Sequence, residues 1–464
     1  EMEQDIFKLL ISTLFIITKE RGMNFMNRNF ILGFVALTIG LVSGCNSVEE
    51  ASNVAEYASA TAPEMNSEVP VVPPEAPTIP FPASFADVSL DADENVDFAA
   101  SPLSLYVACS SLGEIAACGE TRGELLNAVS ASFDVSELQN ICGKFGLFAT
   151  FRNAEWQNRT EPNMLLMSNS LWLSNDFTLN EDSARRDALC FQTKRIPMDD
   201  TGRAEINTFV DKMTRGLIPE FIKELEPSTQ AILINTLYFY ANWQNQFDAD
   251  KSKEGDFFTK PLEPVKAIYM KDSGFYSGFE TENYSALVLP YEPIEIPGNS
   301  MPTKTEMVVL LPKQNISNST ALKAYLNQVV HKNLPQYVEE YYDVVLPKFE
   351  INTELNLTKT LAQLGVKKAF SSQADFSKLS PTPLVISDVI QNVSIRVDEK
   401  GTEAAAATAI MLMRAMLPPE PKPFIVNRPF AFVIREQETS NVLFMGAIAQ
   451  PEAPKEKEST ANNQ

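Results

Sequence analysis

The stretch Glu399-Lys-Gly-Thr-Glu-Ala-Ala-Ala-Ala-Thr408 constrains this chain more than any other. By propensity alone an alanine-rich run is a helix. A helix in a globular protein, however, is held in place by large apolar side chains buried along one face, and Glu399 to Thr408 has none. Just upstream, Val389, Val393, Ile395 and Val397 alternate with Ile390, Asn392, Ser394 and Arg396, the two-residue period of a β-strand. A strand therefore feeds a segment that has nothing to anchor it and is expected to be mobile and open to proteolysis. Thr402, Ala404, Ala406 and Thr408 also alternate, and all are small and uncharged. One face of this segment would fit a narrow space between existing strands without burying a charge or a bulky group.

Composition narrows function mainly by exclusion. With 464 residues, 44% of them hydrophobic, the chain can build a sizeable core. A formal charge of -22 leaves no dense basic surface to neutralise phosphates, so no nucleic-acid partner is expected. The single histidine, His331, lies in a polar run and reads as a surface residue. One histidine cannot furnish a multi-histidine metal site, and no GxSxG motif accompanies it, so neither an enzyme nor a metal or cofactor is expected.

The N-terminal region has the layout of an export signal. Asn27-Arg28 precedes the apolar run Phe30 to Val42, which is short for a bilayer's ~30 Å hydrocarbon core, and Ser43-Gly44-Cys45 follows. Val42-Ser43-Gly44-Cys45 resembles the bacterial lipobox, which implies acylation of Cys45 and a first mature residue there; a plain secretory signal with an incidental cysteine is the alternative. Translation is expected to start at Met23 or Met26. On this reading residues 1–44 are an upstream extension and lipoprotein signal, and 45–82 are the lipid anchor and a proline-rich linker. Residues 83–450 form the folded domain, and 451–464 a disordered tail. The expected location is the bacterial cell envelope, with the domain lipid-anchored at the outer membrane or cell surface. Cys109, Cys118, Cys142 and Cys190 show no CxxC spacing and read as packed thiols or at most one bridge.

Inside the domain, Ser101 to Ala117 and Ala204 to Leu225 carry helical spacing, the second run closing before Pro227. Ala231 to Tyr240, Met307 to Leu311 and Tyr342 to Pro347 read as strands. Their mixed order favours an α+β fold with a large, antiparallel-rich sheet.

Several motifs then fall into a familiar order. Glu399 to Thr408 resembles the hinge of inhibitory serpins, and Phe424-Ile-Val-Asn-Arg-Pro-Phe430 resembles the signature that follows their reactive loop. Leu443-Phe-Met-Gly446 is similar to the closing strand. Ser101-Pro-Leu-Ser104, Asn235 with Trp243, Leu346-Pro-Lys-Phe349, Leu361 to Gly365 and Ala374-Asp-Phe376 also keep family order. The resemblance implies a serpin-like fold with a large central sheet, further sheets and surrounding helices. It also implies an exposed metastable loop, here about 399–423, that traps a protease as an acyl-enzyme when the cleaved loop inserts into the main sheet. Glu399, Gly401, Thr402, Ala404, Ala406 and Thr408 would then be the hinge. Ser101, Ser104, Asn235 and Gln391 would form a polar cluster beneath the sheet, with Trp243 where the loop enters. Gln391 stands where the family often has a histidine, and it cannot titrate.

Hinge-to-bond spacing in the family selects Ala415-Met416 as the reactive bond, with Arg414-Ala415 as the alternative for a trypsin-like enzyme. Counting back from Phe430 lands near Pro418-Pro419 instead, so the segment after the bond is a few residues longer than usual. Leu412, Met413, Met416 and Leu417 suit elastase-like or subtilisin-like serine proteases, with cysteine proteases as a further class of partner. The protein is expected to be a monomer without a heparin-like cofactor. A non-inhibitory serpin-fold binding protein is the alternative, though such a chain would be expected to carry bulky, charged or proline residues along the inserting face.

Overall fold

The computed structural model describes residues 81–91, 94–130, 135–144, 164–180, 191–214, 216–260, 262–294, 302–402 and 419–454. All of them belong to the unit Glu75–Gln464. Cys45 and the expected signal segment before it lie outside the described residues.

In chain order, α1 (Phe81–Ser89) and β1 (Phe98–Ala100) lead into helices α2 (Pro102–Ile115), α3 (Gly119–Ala128) and α4 (Val135–Lys144). Strands β2 (Met164–Ser174) and β3 (Phe191–Ile196) precede helix α5 (Asp200–Met213) and strand β4 (Ala231–Asn242). Four strands follow: β5 (Lys253–Lys260), β6 (Glu263–Glu280), β7 (Tyr284–Pro290) and β8 (Thr305–Pro312). Helix α6 (Asn318–Val330) leads to β9 (Val338–Pro347), β10 (Phe349–Asn356) and the short helix α7 (Thr358–Gln363). The last strands are β11 (Asp388–Val397), β12 (Gly401–Thr402), β13 (Lys422–Ile425), β14 (Phe430–Glu436) and β15 (Val442–Ile448).

Two sheets result. The nine-stranded sheet runs β1-β15-β14-β8-β7-β6-β9-β13, with β5 on the first half of β6. The six-stranded sheet runs β10-β11-β12-β4-β2-β3. Helix α2 supports both, packing on β2, β4 and β15. Its start follows from sequence: the Ser101 side chain accepts the Ser104 N–H and Pro102 occupies the first turn, where its missing donor costs nothing. Every residue of α2 is buried, as expected of a helix enclosed on all sides. The expected α+β architecture is the one observed.

Three expectations shift at their edges. The helix expected over Ala204 to Leu225 is α5, which ends at Met213. Gly216 takes a φ of 82° and Pro219 removes a donor, so the chain turns back instead. There the Asn207 side chain accepts the N–H groups of Phe221 and Ile222 and donates to the carbonyl of Ile222, docking this non-helical return on α5. At the N-terminal boundary, Phe81 and Pro82, read as linker, form the first turn of α1 and are buried. In the tail, Pro451 is buried and the Glu452 carbonyl accepts the Glu350 N–H at 2.7 Å.

Of the cysteines, Cys109 and Cys118 are free, burial pushing the Cys109 thiol up to about 12, while Cys142 is disulfide-bonded. His331 is exposed and caps the C-terminus of α6.

The two sheets meet through aromatic rings. Phe349 of β10 is fully buried, its ring 5.5 Å from Phe430 and 5.3 Å from Phe432 of β14. Phe349→Ala removes this bridge and is expected to cost about 3–5 kcal/mol, read as a lowered denaturation midpoint at fixed scan rate; an unchanged midpoint would show that the junction is held elsewhere.

Candidate functional site

The central seam of the six-stranded sheet lies between β4 and β11, and its two ends differ. Along Asp388–Asn392 of β11 and Ile232–Thr236 of β4 the strands pair directly, in parallel. At the other end β12 stands between them. Thr402 pairs antiparallel with both Val397 and Ala241, and Gly401 pairs with Asn242. Gly401 and Thr402 of the expected hinge therefore already lie between the two strands. A Cβ on Gly401 would lie 2.1 Å from the Ala241 carbonyl oxygen and 2.7 Å from the Asn242 Cα, so only glycine lets the chain enter here.

A dense set of contacts holds this end. Trp243 donates its backbone N–H to the Lys400 carbonyl and its indole N–H to the Asp398 carbonyl, at 2.8 and 2.9 Å. Its ring stacks on Tyr291 at 4.4 Å, and the Tyr291 hydroxyl lies 2.8 Å from Thr402 Oγ1. Glu399 accepts from Lys348 Nζ and from Ser252 Oγ, both at 2.5 Å, and its carbonyl accepts the Phe247 N–H. The two neighbouring carboxyls are pushed in opposite directions. Burial raises the pKa of Asp398 above the ordinary range despite the Lys400 N–H that it accepts. Burial works the same way on Glu399, but the Lys348 ammonium and the Ser252 hydroxyl outweigh it and hold that carboxyl below its usual value. Desolvation drives the Tyr291 phenol far upward, so it stays a neutral partner for Thr402.

Below the paired half of the seam lies a buried polar cluster. Gln391 Nε2 donates to Asn235 Oδ1 at 2.5 Å and to the Ser101 carbonyl at 3.0 Å, while its Oε1 accepts the Ser101 N–H at 2.9 Å. Asn235 Nδ2 donates to Ser104 Oγ and to Asn169 Oδ1. Ser101 Oγ donates to the Leu443 carbonyl, tying the cluster to the second sheet. Asn235 and Gln391 face each other across the seam in register. Their hydrogen bond is therefore one of the contacts that closes it.

The structure brings together Ser101, Ser104, Asn235 and Gln391, and at the head of the seam Glu399, Gly401, Thr402 and Trp243. Ala404, Ala406, Thr408, Arg414, Ala415 and Met416 lie outside the described residues. Asn169, Ser252, Tyr291 and Lys348 were not singled out from sequence. Lys348 stands inside the quoted Leu346-Pro-Lys-Phe349 stretch; the other three occupy ordinary strand or loop positions and are recruited by tertiary structure.

Comparison with known proteins bears on the same residues. The family described as Serpin (serine protease inhibitor) matches residues 84–451. Leukocyte elastase inhibitor A of Mus musculus is 30% identical over 374 residues, which cover 77% of this chain and 93% of its own. Among solved structures, the native state of the thermophilic serpin tengpin is 26% identical with a TM-score of 0.67, covering 84% of this chain and 96% of that one. The complex of thyroxine-binding globulin with thyroxine has a TM-score of 0.65 at 21% identity, covering 81% and 98%, and so shares the fold. With a family match running from α1 through the last strand, and with Gly401 and Thr402 paired between two central strands, this chain belongs to the serpin family.

Proposed function

We propose that this chain is an inhibitory serpin, a suicide substrate that traps serine proteases by inserting its cleaved loop between β4 and β11. The observation that carries this reading is the register of β12. Continued from Thr402 opposite Ala241, it would bring Ala404 opposite Phe239, Ala406 opposite Leu237, Thr408 opposite Asn235 and Leu412 opposite Ala231, the first residue of β4. Continued along β11 from Val397, the same strand would set Thr408 opposite Gln391 and Met411 opposite Asp388. The two counts agree with the existing alignment of Asn235 with Gln391 and of Ile232 with Asp388. The inward-facing set would be the small, uncharged residues Thr402, Ala404, Ala406 and Thr408, followed by Ile410 and Leu412.

Insertion exchanges one parallel pairing for two antiparallel ladders, each added hydrogen bond contributing a net ~0.5–1.5 kcal/mol. A strand from Thr402 to Ala415 rises ~3.3 Å per residue and would carry an attached protease on the order of 45 Å. Filling β4 to its end uses the loop up to Leu412 and leaves Met413 to Ala415 to reach the acyl bond. That count supports Ala415-Met416 as the reactive bond, with Arg414-Ala415 as the register for trypsin-like enzymes. The elastase inhibitors among the relatives favour elastase-like targets. The N-terminal sequence supports a lipid on Cys45 and a place in the bacterial cell envelope, at the outer membrane or cell surface.

Incubation with elastase, subtilisin, trypsin and papain is expected to give an SDS-stable adduct. The released fragment should begin at Met416 with elastase and at Ala415 with trypsin, and loop cleavage should raise the thermal midpoint. Cleavage without an adduct, or with an unchanged midpoint, would instead mark a non-inhibitory binding protein.

Thr402→Arg places a guanidinium in a site that is 2% exposed and filled by Tyr291. Burying it unpaired costs several kcal/mol, so the arginine drives β12 out from between β4 and β11; insertion must then start without its wedge and most encounters should end in hydrolysis. The stoichiometry of inhibition should rise several-fold; an unchanged value would refute the assigned inward face.

Mass spectrometry of membrane-extracted protein should find Cys45 acylated as the first residue, and Cys45→Ser should release the protein. An unmodified Cys45 would remove the anchor.

A further inference from the structure

The six-stranded sheet carries a second polar row on the face opposite the cluster of Ser101, Asn235 and Gln391. Successive residues of a strand point to opposite faces, so Asn392 and Thr236, which follow Gln391 and Asn235, project the other way. They stand opposite each other across the seam, and Ser168 of β2 is the next residue in register beyond Thr236. All three are buried, as is Gln192 of β3, whose Nε2 donates to Ser168 Oγ at 3.3 Å. The row crosses an otherwise apolar face. On one side of it Ile234 and Ile390 join the cluster formed with α5 and its return, and on the other Tyr238 packs against Leu217.

The bonds of this row stop at the seam. Thr236 has a single hydroxyl proton, and Oγ1 donates it to the Ser168 carbonyl at 3.4 Å, away from β11. On the other side, the residue paired with Asn392 is Glu354 of β10, whose exposed carboxylate can accept but not donate. Asn392 Oδ1 is accordingly buried beyond the reach of water and accepts no hydrogen bond among the described residues. Nearly every buried polar atom in a folded protein has a partner, so one without a partner marks a cost that the closed sheet carries. The register of β12 shows where that cost is relieved. Continued from Thr402, the strand would set Ala407 opposite Thr236 on one side and opposite Asn392 on the other. Asn392 and Thr236, one strand spacing of ~4.8 Å apart in the closed sheet, would then lie two spacings apart with only a methyl group between them on this face. That leaves room for a water with a polar group on either side of it, the setting in which buried water is retained.

On the reading that the cleaved loop inserts between β4 and β11, we infer that Asn392 is a positioning residue for insertion. Its carboxamide is unmet while the seam is closed and satisfied once the two strands part. It therefore destabilises the closed sheet selectively and lowers the barrier that the loop must cross. Asn392 acts on the sheet and not on the protease, so it sets the partition between trapping and hydrolysis and leaves the rate of encounter alone.

Asn392→Leu and Asn392→Val both remove the amide but differ in shape, so an effect common to both belongs to the polar group. Thermal midpoints of the intact and the loop-cleaved protein are compared at one guanidinium concentration that brings both into range. The intact form of each variant should melt roughly 1–4 °C above wild type, the shift expected for relieving one unmet buried group in a domain of this size. The cleaved form should not gain. For the panel protease trapped most efficiently by the wild type, the stoichiometry of inhibition should rise about 2- to 5-fold, with the second-order association rate within about twofold of wild type. An intact midpoint that does not rise, an equal rise in the cleaved form, or an unchanged stoichiometry overturns the inference while leaving the inhibitory reading intact. Failure of the wild type to form any adduct overturns that reading and this inference with it.

Discussion

The seam between β4 and β11 is closed by two unequal means, and the rest of the molecule is arranged around that inequality. Along Asp388–Asn392 it is an ordinary parallel pairing. At its head it is wedged by Gly401 and Thr402, which bond to both neighbours. Between these ends, no ladder pairing joins β4 to β11 among the described residues. The stretch lies inside a sheet, just beyond the two-residue strand β12.

On the proposed function, the contacts at the head keep the wedge from withdrawing or running further unaided. Glu399, held by Lys348 and Ser252, fixes the carboxyl side of the turn, while the Trp243–Tyr291 stack presents a hydroxyl to Thr402. These contacts lie in a largely dry environment, where a charged hydrogen bond is stronger than in water and an unpaired group costs more. On the proposed function, advance beyond Thr402 means parting β4 from β11 and breaking the Gln391–Asn235 bond before any new ladder is complete. A barrier of this kind is kinetic, so the metastable state persists without being the most stable one.

How much of this was legible in the sequence depended on how local the cause was. Helix α2 announced itself through Ser101-Pro102, and β11 through strict alternation, because both signals are carried by neighbouring residues. The end of α5 was misplaced because apolar residues at Leu217, Ile218, Phe221 and Ile222 mimic a helical stripe. They pack instead as an irregular return held by Asn207. The hinge was recognisable from what it lacks, a large apolar face. Its partners Tyr291 and Ser252 were not, nor was Asn169 of the buried cluster, since each lies far along the chain and looks like any residue of a mixed strand or loop. The resemblance to a family supplied Asn235 and Gln391 as a pair; periodicity alone would have left them as two polar residues in apolar strands.

The buried cluster beneath the seam adds one constraint that the ladder does not. Ser101, Ser104, Asn169, Asn235 and Gln391 are all almost fully buried, and none can ionise. A purely apolar rung at this place would pack well in the closed sheet and again around an inserted strand, with no preference for register. A rung of amides does prefer one, because each unmet donor or acceptor in a dry core costs roughly 1–3 kcal/mol. If the loop inserts along the register of β12, the residue that separates Asn235 from Gln391 is Thr408, whose hydroxyl both donates and accepts and can take up both amides that lose each other. A slip of one residue would present Ala407 or Ala409 instead and leave both amides unsatisfied, so the cluster selects the register that the hinge sets. The charged groups of the site, Asp398, Glu399 and Lys348, are confined to the head of the seam. Latching and register selection are thus assigned to separate residues, an ionic set that holds the loop at the start and a neutral set that would check its alignment halfway down.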